Sequence, residues 1–253
     1  MEQATAAIDY SVIIPAYNEE AYLPATLAAL RDAMAGIPLN GEVIVVDNNS
    51  DDGTARIAGD SGAVVVFEPI NQISRSRNSG AREAQGRYLV FLDADTSISG
   101  ELLQEALAGL ENGSYCGGGA IVTADEVPPP AAQRAMDLWN YLSVKLGLAA
   151  GCFIFCLREG FDQAGGFSER VYASEEIWFS RKLRSWGRGQ GLSFLIIAEP
   201  PVRTSIRKLH WYSQLRLVFL SAPVLLFPPA VFFKGLCSPW YRRPAGASKI
   251  SRS

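Results

Sequence analysis

Short runs of apolar and β-branched residues alternate with helical patterns along the first half of the chain. The apolar runs lie at residues 10–16, 42–48, 63–67 and 87–95. The helical patterns lie between them, at residues 19–34, 52–62 and 74–86. Alternation of this kind predicts crossover units, and therefore an α/β fold with a mostly parallel sheet flanked by helices.

After Gly113 the pattern is less regular. It predicts the following elements: a strand from Cys116 that ends before prolines 128–130, a long helix or lid at 131–151, a strand at 152–157, two short helices at 158–167 and 173–187, and a last strand at 192–198. Gly187 is predicted to cap the second short helix at its C-terminus.

The C-terminal region contains an uncharged stretch at residues 217–233, between Arg216 and Lys234. It is shorter than the span of about 20 residues that crosses a bilayer, and three prolines interrupt it. Two interpretations stay open: a kinked helical segment lying on a membrane, and a helix packed against the protein itself or a second copy. The basic sequence "WYRRPAGASKISR" that follows favours an anionic membrane surface.

Composition limits the class of protein. With 253 residues, 48% of them apolar and 19% charged, the chain can bury a sizeable core and is far from a disordered sequence. A net charge of −3 gives no reason to expect nucleic acid as a partner.

Cysteine usage and the N-terminus bear on location. The four cysteines fit no secreted disulfide framework, and we expect reduced core thiols rather than metal ligands. They are Cys116, Cys152, Cys156 and Cys237. The first ten residues lack the features of a signal peptide. We therefore expect a cytoplasmic protein, peripheral to the inner face of the cell membrane if the tail binds there.

Polar clusters follow three of the predicted strands. They are "PAYNEE" at 15–20, "DNNSDDGT" at 47–54 and "DADT" at 93–96. Ligands of parallel α/β sheets bind beyond the carboxyl ends of the strands. The three clusters therefore predict one shared cleft.

Asp93 and Asp95 are the first candidate site residues. Residues two apart in an extended segment point the same way, so the two carboxylates can converge on one object. Hard oxygen ligands beside the hydroxyls of Thr96 and Ser97 suit Mg²⁺ or Mn²⁺, which then shares its other ligands between water and substrate phosphates. Such an ion neutralises a departing diphosphate. The alternative is that both aspartates cap the helix that begins near Ser99.

Asp47 directly follows a predicted strand, where its carboxylate can accept hydrogen bonds from a base or from ribose hydroxyls. Residues 48–53 supply a turn and a helix N-terminus, which favour polar ligands. An ordinary strand–turn–helix connection capped by Asp51 or Asp52 is the alternative.

Two arginines of the next helical pattern, Arg75 and Arg77, are candidates for contact with a diphosphate, because guanidinium groups match phosphate oxygens. For Arg82 and Arg87 we prefer a solvated helical face.

Four stretches, in this order, resemble family 2 glycosyltransferases of the GT-A fold. They are "SVIIPAYNEE", "VIVVDNNSDDGT", "RNSGAREAQGRYLVFLDADT" and "GGFSERVYASEEIWFSRKLRSWG". The resemblance covers residue 10 to about residue 190. It implies inverting transfer of a sugar from a UDP- or GDP-sugar to a carbohydrate or lipid-linked acceptor, with Mg²⁺ or Mn²⁺. It also implies one GT-A domain at 1–210, with a nucleotide-binding half at 1–115 and an acceptor half at 116–210, followed by a tail at 211–253.

The resemblance assigns roles to individual positions on the donor side. Those that match the nucleotide-contacting loop are Pro15, Ala16, Tyr17 and Glu19. Asp47 matches the residue that binds base or ribose, and Arg77 with Asn78 matches a segment lining the donor site. Asp93, Ala94 and Asp95 match the D-x-D motif, in which Asp95 corresponds to the direct metal ligand.

Glu176 matches the family's catalytic base, and Glu175 stands beside it. A glutamate here is a departure from the usual aspartate and moves the carboxylate outward by one methylene; it still takes a proton from a hydroxyl within hydrogen-bond reach. The alternative is that both are helix N-terminal acids favoured by the macrodipole.

Five further side chains have less specific matches. Arg207, and less clearly Arg203, are predicted to close over the diphosphate. His210 is either an added metal ligand or a packing residue. Trp139 and Tyr141 are candidates for stacking on an acceptor sugar, for lipid contact or for core packing.

The same residues bear on three other functions. A nicotinamide-dependent oxidoreductase requires G-x-G-x-x-G after the first strand, and "VIIPAYNEE" has no glycine. A nucleotidyltransferase lacks support because no glycine-rich, basic loop follows that strand. A non-catalytic nucleotide-sugar-binding protein or membrane-tethered scaffold stays open because of the unusual Glu175–Glu176 pair.

Overall fold

The structure is a computed structural model, and it describes residues 7–211 and 228–237. Within these residues the strands are β1 (Tyr10–Ala16), β2 (Gly41–Asp47), β3 (Val64–Phe67), β4 (Tyr88–Leu92), β5 (Thr96–Ser97), β6 (Tyr115–Ala124), β7 (Phe153–Leu157) and β8 (Ser193–Thr204). The helices are α1 (Leu23–Met34), α2 (Thr54–Asp60), α3 (Ile73–Glu83), α4 (Gly100–Glu111), α5 (Pro130–Leu146), α6 (Arg158–Ala164), α7 (Glu175–Gly189) and α8 (Arg207–Trp211).

All the strands belong to one sheet with the order β3-β2-β1-β4-β7-β6-β8-β5. The first four strands are parallel, as the alternating pattern predicts. β7 runs antiparallel to both β4 and β6, whereas β6 and β8 are parallel. The parallel arrangement therefore belongs mainly to the first half of the chain, and the second half has a mixed sheet.

The central strands are uniformly apolar because both faces of the sheet are covered. Val12 and Ile14 pack in a cluster with α1 and α4, whereas Ile13 packs in the cluster of α3, α6 and α7. Successive residues of a strand point to opposite faces, so a strand covered on both sides needs apolar residues at every position. The carboxyl ends of these strands are then the polar edge of the sheet.

Several predicted boundaries were wrong for identifiable reasons. Helix α1 begins at Leu23 rather than residue 19, because the preceding residues form a loop bonded to the β2–α2 connection. Gly187 does not cap α7 but lies inside it, where a Cβ atom would come within 2.4 Å of the Cys116 sulfur. The predicted helix at 131–151 ends earlier, at Leu146, with Gly147 in a left-handed C-cap at φ 60°. The last strand runs on to Thr204, because its later residues pair with β6 and β5.

Residues 228–237 form two short 3₁₀ turns, Pro228–Phe232 and Lys234–Cys237. Val231 and Cys237 pack with Val171 and Ala173 of the loop before α7, and the Tyr172 amide donates a 2.6 Å hydrogen bond to the Val231 carbonyl. Most of the predicted tail helix falls on residues outside the described part of the chain. No helix among the described residues is long and apolar enough to cross a membrane. The division of the chain into two halves and a tail stays a prediction.

Candidate active site

Two polar loops at the carboxyl edge of the sheet are bonded to each other. The Glu19 amide donates to the Thr54 hydroxyl at 2.7 Å, and the Asp51 amide donates to the Asn18 side-chain oxygen at 2.9 Å. Ahead of these loops, Pro15 and Ala16 pair in register with Val46 and Asp47. The predicted nucleotide-contacting positions, Tyr17 and Asp47 among them, therefore belong to one edge, as the strand-end clusters implied.

Asn48 organises the next part of this edge. Its amide nitrogen donates to the Glu68 and Ile70 carbonyls at 3.1 and 2.7 Å, and its side-chain oxygen accepts from the Gln72 amide at 2.9 Å. The buried Asn48 thereby joins the ends of β2 and β3 to the start of α3. Sequence reasoning missed Glu68 and Gln72. The polar stretch "EPINQ" directly after β3 was the signal that could have indicated them.

Arg77 is the most buried charged side chain at the site, at 1% exposure. One terminal nitrogen donates to Glu175 at 2.7 Å, and the other donates to Asp93 at 3.1 Å and to the Gly151 carbonyl at 2.7 Å. Burial by itself lowers the pKa of Arg77, but the charges of Asp93, Glu175 and Glu176 outweigh it and raise the pKa. Arg77 therefore brings the D-x-D segment and the first turn of α7 into one site.

Glu176 lies in the first turn of α7, close to Gly151, where an added Cβ would be 3.8 Å from the Glu176 carboxyl carbon. Burial, followed by the charge of Glu175, raises the pKa of Glu176 to about 8. The helix is entered through Ser174, whose φ of 61° is unusual for a residue other than glycine. A carboxyl with a pKa near neutrality is suited to accept a proton from a hydroxyl.

The loop between α6 and α7 is held in place by α3. The Asn78 amide donates to the Phe167 carbonyl at 2.9 Å and its oxygen accepts from the Phe167 amide. Gln72 donates to the Glu169 and Val171 carbonyls. Asn78, predicted to line the donor site, thus fixes the segment that leads into Glu175 and Glu176.

Arg75 is engaged by carboxylates. Its guanidinium pairs with Glu68 at 3.1 Å and with Glu169 at 2.8 Å. Burial alone raises the pKa of Glu68, but hydrogen bonds from Ser79, the Ile70 amide and Arg75 lower it overall. These contacts support a role of Arg75 in holding the loop before α7.

Arg207 forms a second link across the site, between the first strand's loop and the D-x-D segment. Its two terminal nitrogens each lie 2.6 Å from a carboxylate oxygen of Glu19, and one lies 3.0 Å from Asp95. The guanidinium carbon is 4.2 Å from the centre of the Tyr22 ring. Burial opposes its charge, but the hydrogen bonds to Glu19 and the charge of Asp95 raise the pKa of Arg207.

A cavity of about 560 Å³ opens beside Asp95. It lies between the start of α1 and the β5–β8 pair, and its walls include Tyr22, Thr26, Asp125 and Arg203. Arg203 and Asp95 therefore line the same cavity, and the predicted closure of Arg203 over a diphosphate stays a prediction. Below it, the Thr26 hydroxyl donates to the carbonyl of the buried Ala94 at 2.8 Å and fixes the turn between the two aspartates.

The carboxylates of Asp93 and Asp95 fit a divalent cation. Both are oxygen ligands of the kind that Mg²⁺ and Mn²⁺ prefer, and each already faces a guanidinium group. Within residues 7–211 and 228–237, no group of three or more His, Cys, Asp or Glu forms a closed cation site.

The remaining candidates make other contacts. His210 is exposed and its ring nitrogen lies 2.5 Å from Glu126, which does not support metal ligation. Trp139 packs against the main core cluster, whereas Tyr141 is 59% exposed. All four cysteines are free, as expected, and burial raises the pKa of the Cys116 thiol to about 11.

Comparisons with known proteins address the family directly. The family model described as "Glycosyl transferase family 2" matches residues 11–164. An uncharacterised glycosyltransferase of Mycobacterium tuberculosis is 38% identical over 104 residues, which are 41% of this chain and 44% of that protein. The undecaprenyl-phosphate 4-deoxy-4-formamido-L-arabinose transferase of Aeromonas hydrophila is 37% identical over 93 residues, which are 34% and 28% of the two chains. The matches therefore span less than half of either relative.

Solved structures show the fold. Residues 1–349 of S. aureus TarS in complex with UDP-GlcNAc superpose with a TM-score of 0.62 at 20% identity, covering 78% of this chain and 58% of that TarS chain. The mannosyltransferase PcManGT of Pyrobaculum calidifontis, in complex with GDP-Man and Mn²⁺, gives a TM-score of 0.61 at 21% identity, covering 91% and 64%. These likenesses confirm the predicted GT-A glycosyltransferase fold.

Replacing Arg77 by methionine tests its part in holding the site together. We expect Arg77→Met to lower the free energy of unfolding by about 3–5 kcal/mol, because Glu175 loses its buried cation. Arg82→Met, on the exposed side of the same helix, should change it by less than about 0.5 kcal/mol. Denaturant unfolding of both variants and the wild type measures the difference. An equal, small effect of the two substitutions would contradict the bridging role of Arg77.

Proposed function

The chain belongs to glycosyl transferase family 2, and from that premise we propose that it is an inverting, metal-assisted glycosyltransferase. Its donor is a UDP- or GDP-sugar, and its acceptor is a hydroxyl of a carbohydrate or of a lipid-linked molecule. The observation that carries the proposal is the Arg77 bridge, which places the D-x-D aspartate Asp93 and the acidic first turn of α7 in one site. Arg77 thereby holds Asp93, proposed to act on the leaving diphosphate, next to the carboxylates of α7, which are proposed to act on the acceptor.

On the donor side, the loops after β1 and β2 accommodate the nucleotide, and Asp47 accepts hydrogen bonds from its base or ribose. A divalent cation held by Asp93 and Asp95 would supply Lewis-acid stabilisation of the diphosphate. Arg207, already beside Asp95, is positioned to contact phosphate oxygens. The GDP-Man and Mn²⁺ bound to PcManGT and the UDP-GlcNAc bound to TarS support these donor classes.

On the acceptor side, the Glu176 carboxylate accepts the proton of the acceptor hydroxyl. The acceptor oxygen then forms a bond to the anomeric carbon on the face opposite the diphosphate, and the bond between that carbon and the diphosphate oxygen breaks with its electron pair on the diphosphate. The raised pKa of Glu176 makes it a stronger base than an exposed glutamate. Arg77 stabilises the charge of the adjacent Glu175.

The acceptor class receives support from one relative. The Aeromonas hydrophila transferase is named for undecaprenyl phosphate, a membrane lipid. A lipid-linked acceptor suits a cytoplasmic protein peripheral to the inner face of the membrane, which is the location we propose. The alternative is a non-catalytic nucleotide-sugar-binding protein or a membrane-tethered scaffold; it predicts nucleotide binding without turnover.

Release of nucleotide from a panel of UDP- and GDP-sugars, with Mn²⁺ or Mg²⁺ and a polyprenyl-phosphate-linked sugar as acceptor in detergent, tests the donor side. We expect turnover of one donor, abolished by EDTA. Asp95→Ala should lower the rate by about 100-fold or more, because the cation that neutralises the departing diphosphate loses one of its two carboxylate ligands. Asp60→Ala, an exposed acid that pairs with Arg56 on α2, is the matched control and should keep the wild-type rate. Nucleotide binding without turnover of any donor would favour the scaffold alternative.

The pH dependence tests the base. Glu176 is protonated below its pKa and accepts a proton only above it, so kcat/KM should rise with pH through about 8. Burial is the largest cause of this raised pKa; among charged side chains, Glu175 and Asp93 raise it further and Arg77 lowers it. Glu176→Gln should lower kcat by about 10²–10⁴-fold and remove this limb of the profile. Glu101→Gln, in the first turn of α4, is the control for a helix N-terminal acid. It should change neither kcat nor the pH profile of kcat/KM. A Glu176→Gln enzyme with the wild-type profile would exclude Glu176 as the base.

A further inference from the structure

Residues 228–237 lie against the loop that leads into α7, and we call them the C-terminal strap. Two side chains of the strap, Val231 and Cys237, are buried. They pack in one apolar cluster with Val171 and Ala173 of the loop. Because mobile segments are those with few buried apolar contacts, this packing restricts the positions that the loop can adopt.

Two hydrogen bonds add to the apolar contact. The Tyr172 amide donates to the Val231 carbonyl at 2.6 Å. The Lys234 ammonium donates to the Asn71 carbonyl at 3.0 Å, in the connection between β3 and α3. The next residue, Gln72, donates from its side chain to two carbonyls of the same loop. The strap therefore joins the loop before α7 to the segment that leads into α3.

Helix α3 and the residue before it hold the earlier part of this loop. The side chains of Asn78 and Gln72 bond to backbone groups between Phe167 and Val171. The strap continues at Tyr172, so the two sets of contacts follow one another along the loop. Release of the strap should therefore free the end of the loop nearest α7 and leave its earlier part in place.

The end of the loop that the strap contacts leads directly into the two acids of α7. The last residue of the loop, Ser174, has a φ of 61°, which persists in a residue other than glycine only where surrounding contacts hold it. Within the described residues its side chain makes no capping hydrogen bond to α7. Burial, followed by the charge of Glu175, raises the pKa of the Cys237 thiol, so the strap also lies close to this turn. Contacts outside the helix therefore set the position of its first turn.

We propose that the C-terminal strap positions the proposed base, by holding residues 171–174 so that the Glu176 carboxyl faces the acceptor hydroxyl. Val231 and Cys237 are positioning residues, which act through the backbone that enters α7 rather than on the substrate. A small displacement of a reacting group lowers the rate steeply even where the substrate still binds. The strap therefore contributes to kcat more than to KM. This inference rests on the proposed function, in which Glu176 is the base.

Amide hydrogen exchange of the full chain, measured without substrate, tests the contact. Val231→Asp places a charge in the buried cluster and should release the strap. We expect the Tyr172 amide and the amides of the first turn of α7 to exchange about ten-fold faster, or more, than in the wild type. Phe232→Asp introduces the same charge at the exposed neighbour in the same 3₁₀ turn and is the matched control. It should exchange as the wild type does.

Steady-state kinetics test the positioning role, with the UDP- or GDP-sugar that the nucleotide-release panel identifies. Val231→Asp should lower kcat about ten-fold or more and change the KM for the donor by less than about two-fold, because the base moves while the donor loops keep their contacts. Val231→Ala removes apolar contact without burying a charge and should lower kcat about three-fold. Phe232→Asp should keep the wild-type kcat and KM.

Four results would overturn the proposal: unchanged exchange of the Tyr172 amide in Val231→Asp, faster exchange with a wild-type kcat, an equal loss of kcat in Phe232→Asp, and a raised KM with kcat unchanged. The last result would make the strap a substrate-binding element. A wild-type protein that turns over no donor would contradict the proposed function instead, and the exchange measurement would still test the contact between the strap and the loop.

Discussion

The buried guanidinium of Arg77 is the interaction on which the site depends. A charge at 1% exposure is costly unless it is paired, and here Glu175, Asp93 and the Gly151 carbonyl satisfy it together. Three segments distant in sequence are thereby fixed around one cation. The geometry also explains the local electrostatics. Glu175 and Asp93 share the charge of Arg77. Burial and the charge of Glu175 raise the pKa of the neighbouring Glu176, which therefore keeps its proton to a higher pH than an exposed glutamate.

The other contacts of the site repeat this principle with different partners. Arg207 joins Glu19 to Asp95 on the opposite side of the D-x-D segment. The side-chain amides of Asn48 and Asn78 hold neighbouring loops through hydrogen bonds to uncharged backbone carbonyls. The sheet supplies a rigid edge, and these polar links set the loops on it. Functional residues can therefore lie on loops, because these polar contacts fix the positions of the loops.

Local patterns allowed the first half of the fold to be predicted. The runs that became β1, β2, β3 and β4 are apolar because both faces of the sheet are covered, and polar clusters mark their ends. Contacts between distant residues were not predictable in this way. Nothing in the neighbourhood of Arg77 indicates Glu175 as its partner, and nothing near Arg207 indicates Glu19. The extension of β8 through Pro200 and Pro201 was missed because its pairing with β6 and β5 overrides a poor local strand pattern.

The stereochemistry of the product distinguishes a single displacement, which inverts the anomeric configuration, from a reaction that retains it. In the proposed reaction, with Glu176 as base and the diphosphate leaving beyond Asp93 and Asp95, the acceptor oxygen attacks the anomeric carbon from the face opposite the nucleotide. The anomeric configuration of the product, measured by NMR during turnover of an α-linked nucleotide sugar, should therefore be β. An α-linked product would contradict this assignment of base and leaving-group sides.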